Sequence, residues 1–214
     1  RHTRYPLVTG VQTCALPICN WKVISNSPTP AAVDRGDGTA IWVFAPTPRI
    51  SSYITALIAG PYSEWRDELT SADGRTIPLG VYGRSSLAKY IDADYIFDKT
   101  KEGFKFFEEQ FDYPYPFEKY DQLFVPDFNA GAMENAGAVT ITESYVFRGA
   151  VNGFIKERRI ITVLHELAHM WFGDLVTMKW WNDLWLNESF AEWAAHWAST
   201  GATQYSEAWT LFHV

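Results

Sequence analysis

An α+β fold is what this chain of 214 residues predicts, and three observations predict it. Strand-like runs of β-branched and aromatic residues come first, cut apart by Pro and Gly. Two long stretches with helical spacing gather behind them, near the C-terminal end, and strands followed by helices point to α+β rather than to alternating βαβ units. Apolar residues make up 47% of the chain, with 10 Trp, 11 Tyr and 14 Phe, enough for a sizeable core.

Taken in order, Ala40 to Phe44 and Ile50 to Ile58 read as strands, with Pro46 and Pro48 between them. "GPY" at Gly60 to Tyr62 marks a boundary, and "RTIPLGVYGR" follows as another strand. Asp94 to Phe111 reads as a helix that the prolines of "DYPYPF" stop. "DQLFVPDF" and "GAVTIT" read as strands, then Asn152 to Phe172 and Asp183 to Ser199 as helices. "EAWTLFHV" starts a further helix with no stop signal, so the chain is expected to be a piece of a longer gene product.

Arg1 to Ile18 stands apart. "VTGVQTCALPI" is what one common short-read sequencing adapter encodes in this frame, and the stretch resembles translated adapter. It is set aside from fold reasoning and is expected to pack poorly. It lacks the sustained apolar stretch of a signal peptide, which leaves a cytoplasmic location as the expectation. Cys14 and Cys19 lie in it or at its edge, so the remaining chain offers no disulfide framework and no thiolate ligand.

The net charge is −7, and −9 without Arg1 and Arg4, which argues against a nucleic-acid partner. No apolar run reaches the roughly 18 residues of a membrane span, so no membrane partner is expected.

"HELAH", His165 to His169, carries the chemistry. Residues four apart on a helix lie about 40° from each other around its axis, so both imidazoles can face one ion. Zinc suits imidazole nitrogen and carboxylate oxygen at about 2.0–2.2 Å. Glu166 sits beside the first ligand, close enough to reach a water on the metal without binding the metal. By itself the motif is only suggestive, because three fixed letters recur by chance. Glu188, with eighteen residues between it and His169, lies on the next helix, and a turn between antiparallel helices can return it to the same ion. Asn187 precedes it and Glu192 follows by one turn; either can orient a zinc-bound histidine.

"HELAH" followed at this distance by Glu188 resembles the M1 zinc aminopeptidases, the aminopeptidase N family among the gluzincins, and "GAMENAG" at Gly131 to Gly137 resembles that family's exopeptidase motif. The resemblance implies one zinc ion on His165, His169 and Glu188, with Glu166 as general base. It implies a substrate-binding stretch of Gly131, Ala132, Met133, Glu134 and Asn135, in which Glu134 takes the free α-ammonium of a peptide. A carboxylate at fixed distance from the metal is what an enzyme needs to measure from a terminus. Glycine at 131 lets an extended substrate pair closely with the strand.

The resemblance also implies a domain plan: the last strands of an N-terminal β domain over residues 19–62, then the first part of a thermolysin-like catalytic domain over 63–214. The family's transition-state tyrosine is expected beyond Val214, since Tyr205 lies too near Glu188 for that role, and this stretch alone is expected to be inactive. Two other readings share the scaffold: an epoxide hydrolase, whose branch usually has Gly where Ala132 stands, and a non-catalytic peptide-binding module.

Overall fold

The computed structural model describes residues 7–8, 13–17 and 21–212. The early part of the chain forms short strands: β1 (Leu7–Val8), β2 (Thr13–Pro17), β3 (Lys22–Ser25), β4 (Val33–Asp34), β5 (Thr39–Val43), β6 (Ile50–Ser51) and β7 (Leu57–Gly60). They pair as β2-β5-β4, β3-β7 and β1-β6. The run read as one strand from Ile50 to Ile58 is divided. A 3-10 turn at Ser52–Ile54 separates β6 from β7 and buries Ile54 completely.

Arg1 to Ile18 was expected to pack poorly, yet two parts of it pair in register. Leu7–Val8 runs antiparallel to Ile50–Ser51, and Thr13–Pro17 antiparallel to Thr39–Val43. Strand pairing uses backbone groups that every residue type but proline carries in full, so an open edge accepts an extended segment of any origin. The remaining positions of that stretch lie outside the described residues.

A five-stranded mixed sheet supports the site, in the order β11-β12-β10-β9-β8. β8 (Tyr62–Thr70) and β9 (Thr76–Arg84) form a nine-pair hairpin closed by a turn in which Gly74 takes φ +86°. β8 escaped the sequence reading because "SEWRDELT" is rich in charge. It is the sheet's outer strand, and its polar side chains alternate toward solvent. α1 (Ala93–Phe111) crosses from β9 to the parallel β10 (Tyr120–Val125), and β10 pairs in parallel with β12 (Ala138–Thr142). β11 (Ala132–Met133) closes the row, antiparallel to β12, and forms its far edge.

β10 is buried along its whole length, including Asp121 and Gln122. Asp121 accepts from Lys119 at 2.7 Å and from Arg66 at 3.1 Å, and Gln122 donates to Thr100 at 2.9 Å while its Oε1 has no partner among the described residues.

Asn152 caps α2 (Gly153–His169) by accepting from the Ile155 amide at 3.0 Å, and Ile160, Val163, Leu164 and Leu167 anchor the helix in the core. α3 (Glu188–Ala202) turns Ala191, Ala194, Ala195 and Ala198 inward, all fully buried. Side chains this small let two helices approach closely, which brings the start of α3 to the end of α2. α4 (Ala208–Phe212) follows. The helix expected over Asp183 to Ser199 breaks at Asn187: Trp181–Leu186 is 3-10, with Asp183 off helical geometry. Leu184, Trp185 and Leu186 are all exposed there, so no apolar face holds an α-helical period. Among the described residues no helix is long and apolar enough to cross a membrane.

Candidate metal centre

His165 and His169 occupy the last turn and a half of α2, and their Nε2 atoms face each other at 3.0 Å. Glu188 Oε2 lies 3.6 Å from the first and 3.7 Å from the second. Ligands about 2.05 Å from a tetrahedral zinc ion lie about 3.3 Å from one another, so the three separations suit one ion. The far nitrogen of each ring is occupied: His165 Nδ1 meets Glu192 Oε2 at 3.0 Å, and His169 Nδ1 meets the Phe172 carbonyl at 3.0 Å. Both acceptors hold a proton on Nδ1, which turns both Nε2 lone pairs inward. At that distance either a proton on one Nε2 or a metal ion between the two relieves the facing lone pairs.

The electrostatics agree. Burial works to lower the His165 pKa, but Glu188 and Glu192 outweigh it and push it up to about 10. His169 is raised against burial in the same way, chiefly by Glu188. The two rings beside it hold Glu188 far below the usual carboxylate range. A cluster that retains protons this strongly retains a dication by the same forces.

Glu166 is buried one position beyond His165, outside the ligand triangle, and its Oε2 has no hydrogen-bond partner. Burial pushes its carboxyl up to about 7, opposed by the two histidines. That value suits a group that takes and returns a proton near neutral pH. The charge of Glu134 raises the pKa of both Glu166 and His169, as expected for an acid close to the end of α2.

Glu134 is itself buried and accepts one hydrogen bond, from the Tyr53 hydroxyl at 3.1 Å. It follows directly on β11. Asn135 shapes the turn beyond it: its carbonyl accepts from Ala138 N at 2.8 Å and its side chain from Thr140 at 2.9 Å. The Gly131 carbonyl accepts from Thr142 N at 3.0 Å. Ala132 and Met133 pair with Ile141 and Thr140, and among the described residues no strand pairs with the other edge of β11.

Asn187 bonds neither histidine, unlike the orienting role considered for it. His169 Nδ1 is already taken by Phe172, and the Asn187 amide donates instead to the Tyr53 hydroxyl at 3.1 Å. Gly173, at φ +134°, makes room for it, since a Cβ there would collide with Asn187 Oδ1. Tyr205 points elsewhere, its hydroxyl 2.6 Å from that of Tyr95 on α1.

Two residues of this cleft were not found by sequence reasoning. Tyr53 lies in the 3-10 turn between β6 and β7. Asp174 lies in the loop after α2, buried, with neither carboxylate oxygen hydrogen-bonded, and burial together with Glu134 and Glu166 drives its pKa well upward. The only sequence signal for either was an aromatic or an acid in an otherwise apolar context.

Two histidines one turn apart, a glutamate from the next helix and a buried acid beside them define a protein whose helix pair could hold a metal ion. A family model for the peptidase family M1 domain matches residues 95–214. The chain belongs to peptidase family M1. It is 60% identical over 194 residues to an aminopeptidase N of Streptomyces lividans, a match covering 90% of this chain and 22% of that protein. It is 38% identical over 193 residues to aminopeptidase Ey of Gallus gallus, covering 88% and 19%. With aminopeptidase N of Homo sapiens it shares 39% over 170 residues, covering 78% and 17%. The chain spans about a fifth of the length of these curated relatives.

Proposed function

We propose that this chain carries the centre of a zinc-dependent aminopeptidase, which removes the N-terminal residue from peptides with a free amino terminus. One observation carries the reading: His165, His169 and Glu188 converge closely enough to hold one ion, beside the buried Glu166 with an unpartnered oxygen and near the buried Glu134, which follows an edge strand. The names of the relatives support it.

His165, His169 and Glu188 would hold the zinc ion. When bound, the ion supplies Lewis acidity to a water and to the scissile carbonyl. Glu166 takes the proton of the attacking water and delivers it to the departing amine, which its near-neutral pKa allows in both directions. Glu134 Oε1 is engaged by Tyr53, leaving Oε2 to accept the substrate ammonium. The free edge of β11, with Ala132 and Met133, pairs with the substrate backbone and aligns its first peptide bond.

The test uses the full-length gene product. Glu166→Gln is expected to lower kcat by at least about 10²-fold at unchanged zinc content. N-acetylation of an aminoacyl chromogenic substrate is expected to abolish turnover. Equal rates on free and acetylated substrates would overturn the exopeptidase reading, and turnover of an epoxide alone would favour the hydrolase of that class.

A further inference from the structure

We propose that Tyr53 is a positioning residue that fixes Glu134 relative to the metal centre by bridging Glu134 and Asn187. This rests on the aminopeptidase reading and adds to it the residue that sets the distance from amine to scissile bond.

The hydroxyl of Tyr53 is used twice. It donates to Glu134 Oε1 at 3.1 Å and accepts from Asn187 Nδ2 at 3.1 Å. Asn187 is rigid at the other end: its amide donates to Leu184, its carbonyl accepts from Ala191 in the first turn of α3, and Glu188 follows it directly. One phenol therefore ties the ammonium-binding acid to the backbone that presents the third ligand.

A second contact, independent of the first, links the same pieces. Asn26 is buried and donates both to the Ile54 carbonyl and to the Ala136 carbonyl, each at 2.9 Å, while it accepts from Ala56 N at 2.9 Å. It holds the Ser52–Ile54 turn, which carries Tyr53, against the turn that follows Glu134. The 3-10 turn interrupting Ile50 to Ile58 thus has a use, since it presents Tyr53 at the cleft while Ile54 enters the core.

Glu134 needs such a hold. It is buried, its charge raises the pKa of both Glu166 and Asp174, and among the described residues Tyr53 is its one hydrogen-bond partner. Without the phenol no hydrogen bond among the described residues fixes the Glu134 side chain, and the ammonium no longer meets its acceptor at a fixed distance from the carbonyl.

Tyr53→Phe in the full-length enzyme keeps the ring and removes both bonds. The expected result is a rise of about tenfold or more in KM for free-amine substrates, with a smaller change in kcat. Zinc content by atomic emission and the melting temperature should stay at wild-type values. In a Glu134→Gln background the same change should add little to KM, because the charge to be positioned is gone. Asn187→Ala, which removes only the donor to the phenol, should move KM in the same direction by less. A wild-type KM in Tyr53→Phe overturns the proposal. So does loss of zinc in parallel with activity, or a full further effect on top of Glu134→Gln. If wild-type enzyme itself does not prefer free amines, the aminopeptidase reading fails instead, and the two failures are told apart.

Discussion

Glu192 shows how much a single side chain outside the ligand triangle contributes. Its Oε2 holds the outer nitrogen of His165, and its backbone carbonyl engages His196 Nδ1 at 2.8 Å. Glu192→Ala should release the His165 ring and weaken zinc binding by about 10- to 100-fold, measured by competition with a chromophoric chelator. Glu188→Ala should weaken it more, because it removes a ligand. The same assay has a defined pH dependence. The metal-free cluster holds its imidazole proton to a pKa of about 10 on His165, so zinc must displace it. Apparent affinity should fall about tenfold per pH unit for each proton displaced as the pH drops below that value. His165, Glu166 and His169 were readable as a cluster because α-helical spacing places them together locally, whereas bringing Glu188 to them needed a turn between two helices. Tyr53 was not, since 81 residues separate it from Glu134 and 134 separate it from Asn187. Asp174 was unreadable for a related reason: only folding reveals that an acid in a loop is buried without a partner.

The helix pair α2 and α3 turns that spacing into a site, and its tightness depends on alanine. Ala195→Leu should overpack the contact, costing about 1–3 kcal/mol of stability and displacing Glu188 from the histidines. Chemical denaturation measures the first effect and zinc affinity the second. Lost stability with unchanged zinc affinity would show that the spacing of the helices does not set the ligand triangle. Here the sequence was a partial guide. α1 and α2 were readable within a few residues because their apolar faces are continuous. Asp183 to Ser199 was not, because the tryptophan-rich segment before Asn187 looks helical by composition while its side chains face outward. β8 was missed for the opposite reason: an outer strand can be nearly all polar on one face.

Across the molecule, the α+β class was readable from the order of runs, and the mixed sheet with its helices bears it out. The division expected near Tyr62 is crossed by contacts that matter for the site. Ile24 shares a core with Tyr82 and Leu123, and Asn26 and Tyr53 reach the "GAMEN" turn and the start of α3. The site therefore depends on early strands that lie outside the matched residues 95–214. The outer surface near Trp185 has its own consequence. Leu184, Trp185 and Leu186 are exposed together, with Trp180 and Val176 also exposed. Apolar patches of this kind promote association, so residues 21–212 expressed alone should self-associate in dynamic light scattering, and Trp185→Ser should reduce it.

The metal assignment is tested most directly by anomalous diffraction at the zinc edge from crystals of the zinc-loaded full-length protein. One peak is predicted, about 2.0–2.2 Å from His165 Nε2, His169 Nε2 and a Glu188 carboxylate oxygen, with Glu166 nearby but unbonded. A peak that excludes Glu188, or one with Glu166 among its ligands, would contradict the account.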